Sequence, residues 1–412
     1  MRTATKRFLA IIWAVLAALT LVGCGGTPEE EREMTNGPVY DGVALPQSLW
    51  TAPAWEEEPS HARTEEIRGI WYDTVYKGEP TKAFAYLGIP AGASAENPAP
   101  AVLLLHGGAG TAYWEWVAAW VERGYVALAP DLEGHLPTQE GTMSSYPAEL
   151  YTRSEYPAPQ NVNYADAALP MEETWMYYAV STATLGNSLL HGLPEADPQR
   201  IGVCGVSWGG VITSIVTGYD DRYAFSVPIY CSLNIAGSGG NLASYYAAHP
   251  EALVWDDDEG LSRVQTPILF YASNADAACS ALSVSRTYER CKNARLILAD
   301  GLPHSQVHAA AAIEPYLFAD SIVKGGSVFS RATAEPDAQN PVFAYEGEKG
   351  VQARLWYTSD DITQGQAVWS PMRCPVSGTS VTAAIPEGAA WYYFSVDDGG
   401  SGICSRIVKC ES

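Results

Sequence analysis

The first folded stretch of the chain alternates apolar and polar positions with a period of two. "EIRGIWYDTVYKG" (66–78) and "KAFAYLGIP" (82–90) both read as strands of an antiparallel hairpin. The pattern then changes. "PAVLLLH", "YVALAPD", "RIGVCGVS", "AFSVPIY", "TPILFYAS" and "ARLILAD" are short, near-continuous apolar runs. Between them lie helical segments such as "AYWEWVAAWVERG" and "EETWMYYAVSTATLGNSLLHG". Runs of that kind separated by helices predict parallel strands covered on both faces, an open α/β sheet whose reactive groups sit at the carboxyl ends of its strands. A proline-rich insertion (133–168) interrupts the series. After Lys324 the helix signal disappears, and "PVFAYEGE", "VQARLWYTS", "SVTAAIP" and "AWYYFSVDD" predict a small all-β sandwich.

The ends of the chain add two further segments. Arg2, Lys6 and Arg7 precede the 15-residue apolar run "FLAIIWAVLAALTLV", which is shorter than the about 20 residues of a spanning helix. It closes in "LVGC", which resembles the bacterial lipobox, so Cys24 is the expected lipidation site and the protein is expected outside the cytoplasm, anchored to a membrane through that lipid alone. Residues 25–45 are acidic and lack apolar periodicity, as a tether would. The resulting division is 1–24 signal and lipidation site, 25–45 tether, 46–325 α/β domain and 326–412 β-module. In an exported chain disulfides are permitted, and Cys279/Cys291 and Cys404/Cys410 are near enough in sequence to pair, while Cys204 falls in a core strand as a buried thiol.

A net charge of −23 and a sequence pI near 4.6 exclude nucleic acid and anionic headgroups as natural partners. No His/Cys/Asp cluster has ligand spacing, so neither a metal nor an organic cofactor is implied. The chemistry points elsewhere. In "VCGVSWGGV" (203–211) Ser207 stands between Gly205 and Gly209, at the junction of a strand and a helix. Glycines at those offsets let a strand reverse into a helix and leave the hydroxyl exposed at the apex. A serine needs a base, and His304 follows the last predicted strand; Asp276 follows the strand before it. The order Ser207, Asp276, His304 suits a nucleophile, acid and base. "LLLHGGAG" (103–110) places Gly108 and Ala109 where their N–H groups, with that of Trp208, would bind an oxyanion. His106 and Trp114 are candidates for the pocket wall. His308 is a rival base, Asp131 a capping residue, Trp116 and Trp120 core, and "WDDDEG" (255–260) a solvated loop.

These motifs resemble α/β-hydrolases of the acetylxylan esterase, dienelactone hydrolase and prolyl-oligopeptidase-like group, most closely secreted bacterial acetylxylan-esterase-like lipoproteins. The resemblance runs from about residue 66 to 325 and includes "DPQRIGVCGVSWGG", "TPILFYASNAD" and "EPYLFADSIV". It implies an α/β-hydrolase fold with Ser207 as nucleophile, Asp276 as acid and His304 as base. "PHSQVH" and "DAACS" depart from the group's usual surroundings of the base and the acid.

The leading expectation is a serine esterase that removes short acyl groups, acetyl above all, from a small molecule or oligosaccharide. A prolyl-oligopeptidase-type serine peptidase is the alternative. A non-catalytic glycan-binding lipoprotein, with Trp369, Trp391 and Tyr392 as stacking platforms, is a third reading. Only about 40 residues separate the lipidation site from the hairpin, about the size of a single propeller blade, so an open site is expected. The sequence sets no oligomeric state.

Overall fold

Nine strands form the central sheet of the computed structural model, which describes residues 43–325, 329–347, 352–364, 366–399 and 402–411. Their spatial order is β1 (Trp55–Glu58), β2 (Ile67–Tyr76), β3 (Glu79–Gly88), β5 (Val126–Pro130), β4 (Ala99–Leu105), β8 (Ala196–Val206), β9 (Phe225–Ile229), β10 (Ile268–Ser273) and β11 (Ala294–Ala299). The first three strands are antiparallel and β3 runs antiparallel to β5. From β5 to β11 every neighbour is parallel. The 133–168 insertion holds a small hairpin, β6 (His135–Pro137) with β7 (Tyr151–Arg153).

The parallel strands are buried on both faces because their side chains alternate between two helical layers. On one face Leu103 and Leu128 meet Gly186 of the long helix Trp175–Gly192. Nearly every residue of that helix is buried, as a helix apolar on all sides must be. The Thr174 hydroxyl caps its first turn by accepting from the N–H of Tyr177. On the other face Trp120 stacks on Phe225 and tilts against Tyr316. Trp116, Val117 and Trp120 are the buried stripe of helix Trp114–Val121, and truncating a ring such as Trp120 to alanine would cost about 3–5 kcal/mol.

The C-terminal segment forms two small sheets facing each other. One runs β12 (Arg331–Ala334), β13 (Val342–Glu346), β17 (Ser380–Thr382), β16 (Val376–Ser377); the other runs β15 (Ser370–Cys374), β14 (Gln352–Thr358), β18 (Trp391–Asp397), β19 (Ile403–Cys404). Phe343, Tyr345 and Val381 from the first meet Leu355, Tyr392 and Phe394 from the second. The alternate positions Trp356, Trp391 and Tyr393 turn outward and join the core of the α/β domain. Trp391 and Tyr392 are therefore buried, and Trp369 packs edge-on against Tyr393. They are packing residues, not the stacking platforms of the third reading.

Three other expectations are corrected. Val43 and Leu45, placed in the tether, are buried in the α/β core, and Tyr219 donates to the carbonyl of Val43. The disulfide joins Cys231 to Cys279; Cys291, Cys404 and Cys410 are free thiols. The acidic loop is not left to solvent: Asp256 accepts from the N–H groups of Ile235 and Ala236, and Asp258 pairs with Arg290. Cys204 is a buried free thiol. Cys24 and the signal segment lie outside the described residues, and among the described residues no helix is long and apolar enough to cross a membrane.

Candidate active site

Ser207 follows β8 directly and precedes helix Trp208–Tyr219, and its backbone holds φ 58° and ψ −120°. A non-glycine residue is strained there. Its N–H is fixed by the carbonyl of Ile229 on β9. The turn is too tight for side chains on either flank: a Cβ on Gly205 would lie 2.1 Å from the carbonyl oxygen of Gly209, and one on Gly209 would lie 2.1 Å from that of Leu105.

The remaining groups arrive from neighbouring strand ends. Asp276 follows β10 and His304 follows β11. Nδ1 of His304 lies 2.6 Å from Oδ2 of Asp276, and Nε2 lies 2.7 Å from Oγ of Ser207. A carboxylate can only accept, so Nδ1 carries the proton and Nε2 offers its lone pair to the serine hydroxyl. The second oxygen of Asp276 accepts from the N–H groups of Ala278 and Cys279 at 2.7 and 3.3 Å. His308 points its Nδ1 to Ser305 Oγ instead.

Around the glycine turn the structure separates the candidates. The carbonyl of Gly107 bonds His106, and that of Gly110 bonds His135. His106 Nε2 accepts from the N–H of Leu132, so Nδ1 must donate to Gly107. Burial pushes the pKa of His106 down, so it stays neutral. It is a buried latch between β4 and β5, not part of a pocket wall. Asp131 caps the next loop by accepting from the N–H groups of Glu133 and His135.

Ala109 is also corrected. It sits at φ 57°, and its N–H donates to Glu133 Oε1 at 2.9 Å. The donor is thus engaged and is unavailable to an oxyanion. The N–H of Gly108 has no acceptor among the described residues, and Trp208 opens its helix without an intrahelical partner. These two remain as the anion donors. A Cβ on Gly108 would lie 2.5 Å from Trp208 Cδ1 and 2.9 Å from Asn161 Nδ2, so the two loops close over this glycine. Trp114 lies under the Arg63 guanidinium, which bonds Tyr86 and the carbonyl of Thr138.

Several residues that shape this site carried no signal of their own in the sequence. Glu133 is buried; loss of water, with the charge of Asp131 beside it, pushes its pKa up to about 8 against the N–H groups of Ala109 and Asn161, which it accepts. Asn274 accepts from the N–H of Gly301 and donates to Asp300 and to the Tyr393 hydroxyl, tying the acid loop to the base loop and to the β-module. Gln366 of the module donates to the carbonyl of Ala275, next to the acid. Tyr230 lies under His304. Trp208 is walled by Tyr164 and Trp175 and stacked on Tyr245.

The sequence profile of the dienelactone hydrolase family matches residues 84–299, slightly more than half of the chain. A comparison with curated sequences returned no match. Among solved structures the chain is similar to the acetyl xylan esterase from Paenibacillus sp. R4, at 17% identity and a TM-score of 0.50, over 67% of this chain and 92% of that one. It is similar to acetyl xylan esterase 1 from Thermoanaerobacterium sp. JW/SL YS485 at 14% identity and 0.48, over 69% and 96%. It is also similar to the acylaminoacyl peptidase of Pyrococcus horikoshii at 12% identity and 0.47, over 65% and 44%. With an open, doubly covered sheet and its polar groups gathered at the strand ends, the chain is an α/β-hydrolase and belongs to the dienelactone hydrolase family.

Proposed function

We propose that this protein is a serine esterase that hydrolyses short acyl esters, acetyl above all, carried by carbohydrates. The observation that carries the reading is the unbroken hydrogen-bonded path from Ser207 Oγ through His304 to Asp276. In this mechanism Ser207 attacks the ester carbonyl while His304 takes its proton, and Asp276 holds the imidazole and stabilises its charged form. The oxyanion would lie against the N–H groups of Gly108 and Trp208, each such donor contributing about 3–4 kcal/mol to the transition state. His304 then returns its proton to the departing alcohol, and water hydrolyses the acyl-enzyme with His304 again as base.

Crowding supports a small acyl group: Trp208, packed against three aromatic neighbours, and Asn161 border the anion side of the site. The acidic surface disfavours polyanionic glycans, which supports neutral acetylated oligosaccharides as substrates. A panel of acetylated oligosaccharides, aryl esters of rising acyl length and prolyl peptide amides tests the reading. Acetyl esters should give the highest kcat/KM; peptide cleavage matching the best acetate would establish a peptidase instead. We also propose that Cys24 is lipidated and holds the enzyme at the outer side of a membrane. Membrane fractionation of Cys24→Ala checks this, and undiminished membrane association would overturn it.

A further inference from the structure

In the sheet, β9 and β10 stand between the strand that leads into Ser207 and the strand that leads to His304. The base must therefore reach back across two strand ends to touch the serine. Tyr230 is the residue immediately after β9, in that gap. Its backbone holds φ 67°, a left-handed conformation that is an outlier for a bulky aromatic. Its N–H is fixed by the carbonyl of Tyr271 on β10. The hydroxyl lies 2.7 Å from the carbonyl oxygen of Pro303 and 3.1 Å from that of Ser305, the two residues that flank His304. The ring lies under the imidazole, with centroids 4.6 Å apart and planes 25° apart.

We propose that Tyr230 is a positioning residue for the base: its hydroxyl clamps the His304 loop from both sides, and its ring supports the imidazole face. Strain in such a residue persists only where the surroundings enforce it, and strained residues cluster at functional sites. Burial pushes the phenol up to about 12, so it remains a neutral donor to the two carbonyls. When His304 takes the serine proton it becomes a cation above an electron-rich ring, an attraction absent from the resting state. The support therefore belongs to the transition state more than to substrate binding, and its loss should appear in kcat and not in KM. The next residue, Cys231, is bonded to Cys279 in the acid loop, so one dipeptide at the end of β9 braces the loops of both base and acid.

This inference rests on His304 being the base, and the test separates the two. Tyr230→Phe keeps the ring and loses the clamp; Tyr230→Leu loses both. With an aryl acetate, Tyr230→Phe should lower kcat about tenfold and Tyr230→Leu about a hundredfold, each with KM within about twofold, measured at a temperature well below the variant's Tm where it is fully folded. The graded order is the signature, since phenylalanine restores part of what leucine loses. Ser207→Ala and His304→Ala are measured alongside. If these two lose activity while Tyr230→Phe keeps kcat within twofold of the parent, the positioning role is wrong and the triad stands. Activity losses that track the fraction of folded protein would equally overturn it. If Ser207→Ala and His304→Ala remain active, the esterase mechanism itself falls.

Discussion

Asp276 meets His304 through one oxygen, Oδ2, at 2.6 Å, and gives its other oxygen to the N–H groups of Ala278 and Cys279. The carboxylate is thereby held in one rotamer, with a single lone-pair direction aimed at the imidazole. Those two backbone donors fix the carboxylate's orientation toward the imidazole.

That arrangement predicts the effect of Asp276→Asn. The amide preserves shape but can present N–H to Nδ1, which selects the tautomer with its proton facing Ser207. kcat should fall about ten-thousandfold with the fold intact. His304→Ala should fall at least about a thousandfold, whereas His308→Ala, whose ring bonds Ser305 and not Ser207, should stay within a few-fold. Steady-state kinetics on an aryl acetate measure all three. A large loss in His308→Ala beside an active His304→Ala would reverse the assignment of the base.

The disulfide predicts a second, distinct behaviour. Cys279 donates its N–H to Asp276 while its side chain is bonded to Cys231, 48 positions away in sequence. On the chain-entropy account a loop of that size contributes about 4 kcal/mol. Cys231→Ala and Cys279→Ala should each lower Tm by several degrees and lower kcat by loosening the acid loop. Because the bond is one unit, the double variant should be no worse than either single variant. Strictly additive losses, read by calorimetry and kinetics, would mean that each cysteine acts by its own packing.

The contrast between what was readable and what was not is physical. Gly205 and Gly209 were legible because backbone atoms 2.1 Å from their absent Cβ atoms forbid any other residue. The parallel strands were legible because two-sided burial demands continuous apolar runs. Strand β1 was not, because "WEEE" at a sheet edge is held by backbone pairing and by ion pairs with Lys82 and Arg68. Ala109 and Gly108 look alike in "HGGAG"; only the arrival of Glu133 from the loop after β5 distinguishes them. Tyr392 and Trp391 read as surface aromatics because alternation cannot reveal that both faces of β18 are covered, one by its own module and one by the α/β domain.

Glu133 carries a stability prediction. Its pKa rises from an ordinary carboxylate value to about 8 in the folded chain. The folded state therefore retains a proton that the unfolded state has lost above about pH 4.5. Stability from this group is fully present below that pH and falls as pH rises through 8. Glu133→Gln cannot ionise but can still accept from Ala109. Its Tm should decline less than the parent's between pH 5 and 8. Parallel Tm-against-pH curves over that window would show that Glu133 is not the group responsible.

Gly108 sets the last prediction, because it separates the two donors that the glycine turn offers. The N–H of Ala109 is spoken for by Glu133, and that of Gly108 is left beside Trp208. A Cβ at position 108 would press on the Trp208 ring from 2.5 Å and on the Asn161 amide from 2.9 Å. Trp208 is buried and packed against Tyr164, Trp175 and Tyr245, which resist its displacement. The turn must shift instead, and it carries the N–H away from the developing oxyanion. Gly108→Ala should therefore lower kcat about a hundredfold to a thousandfold, the loss expected for one anion donor. KM should change little, since the ground-state carbonyl makes the weaker bond. The triad remains intact in this variant, so a reactive phosphonate should still label Ser207, only more slowly, because its addition builds negative charge on the same oxygen. Wild-type kcat in Gly108→Ala would place the anion site elsewhere.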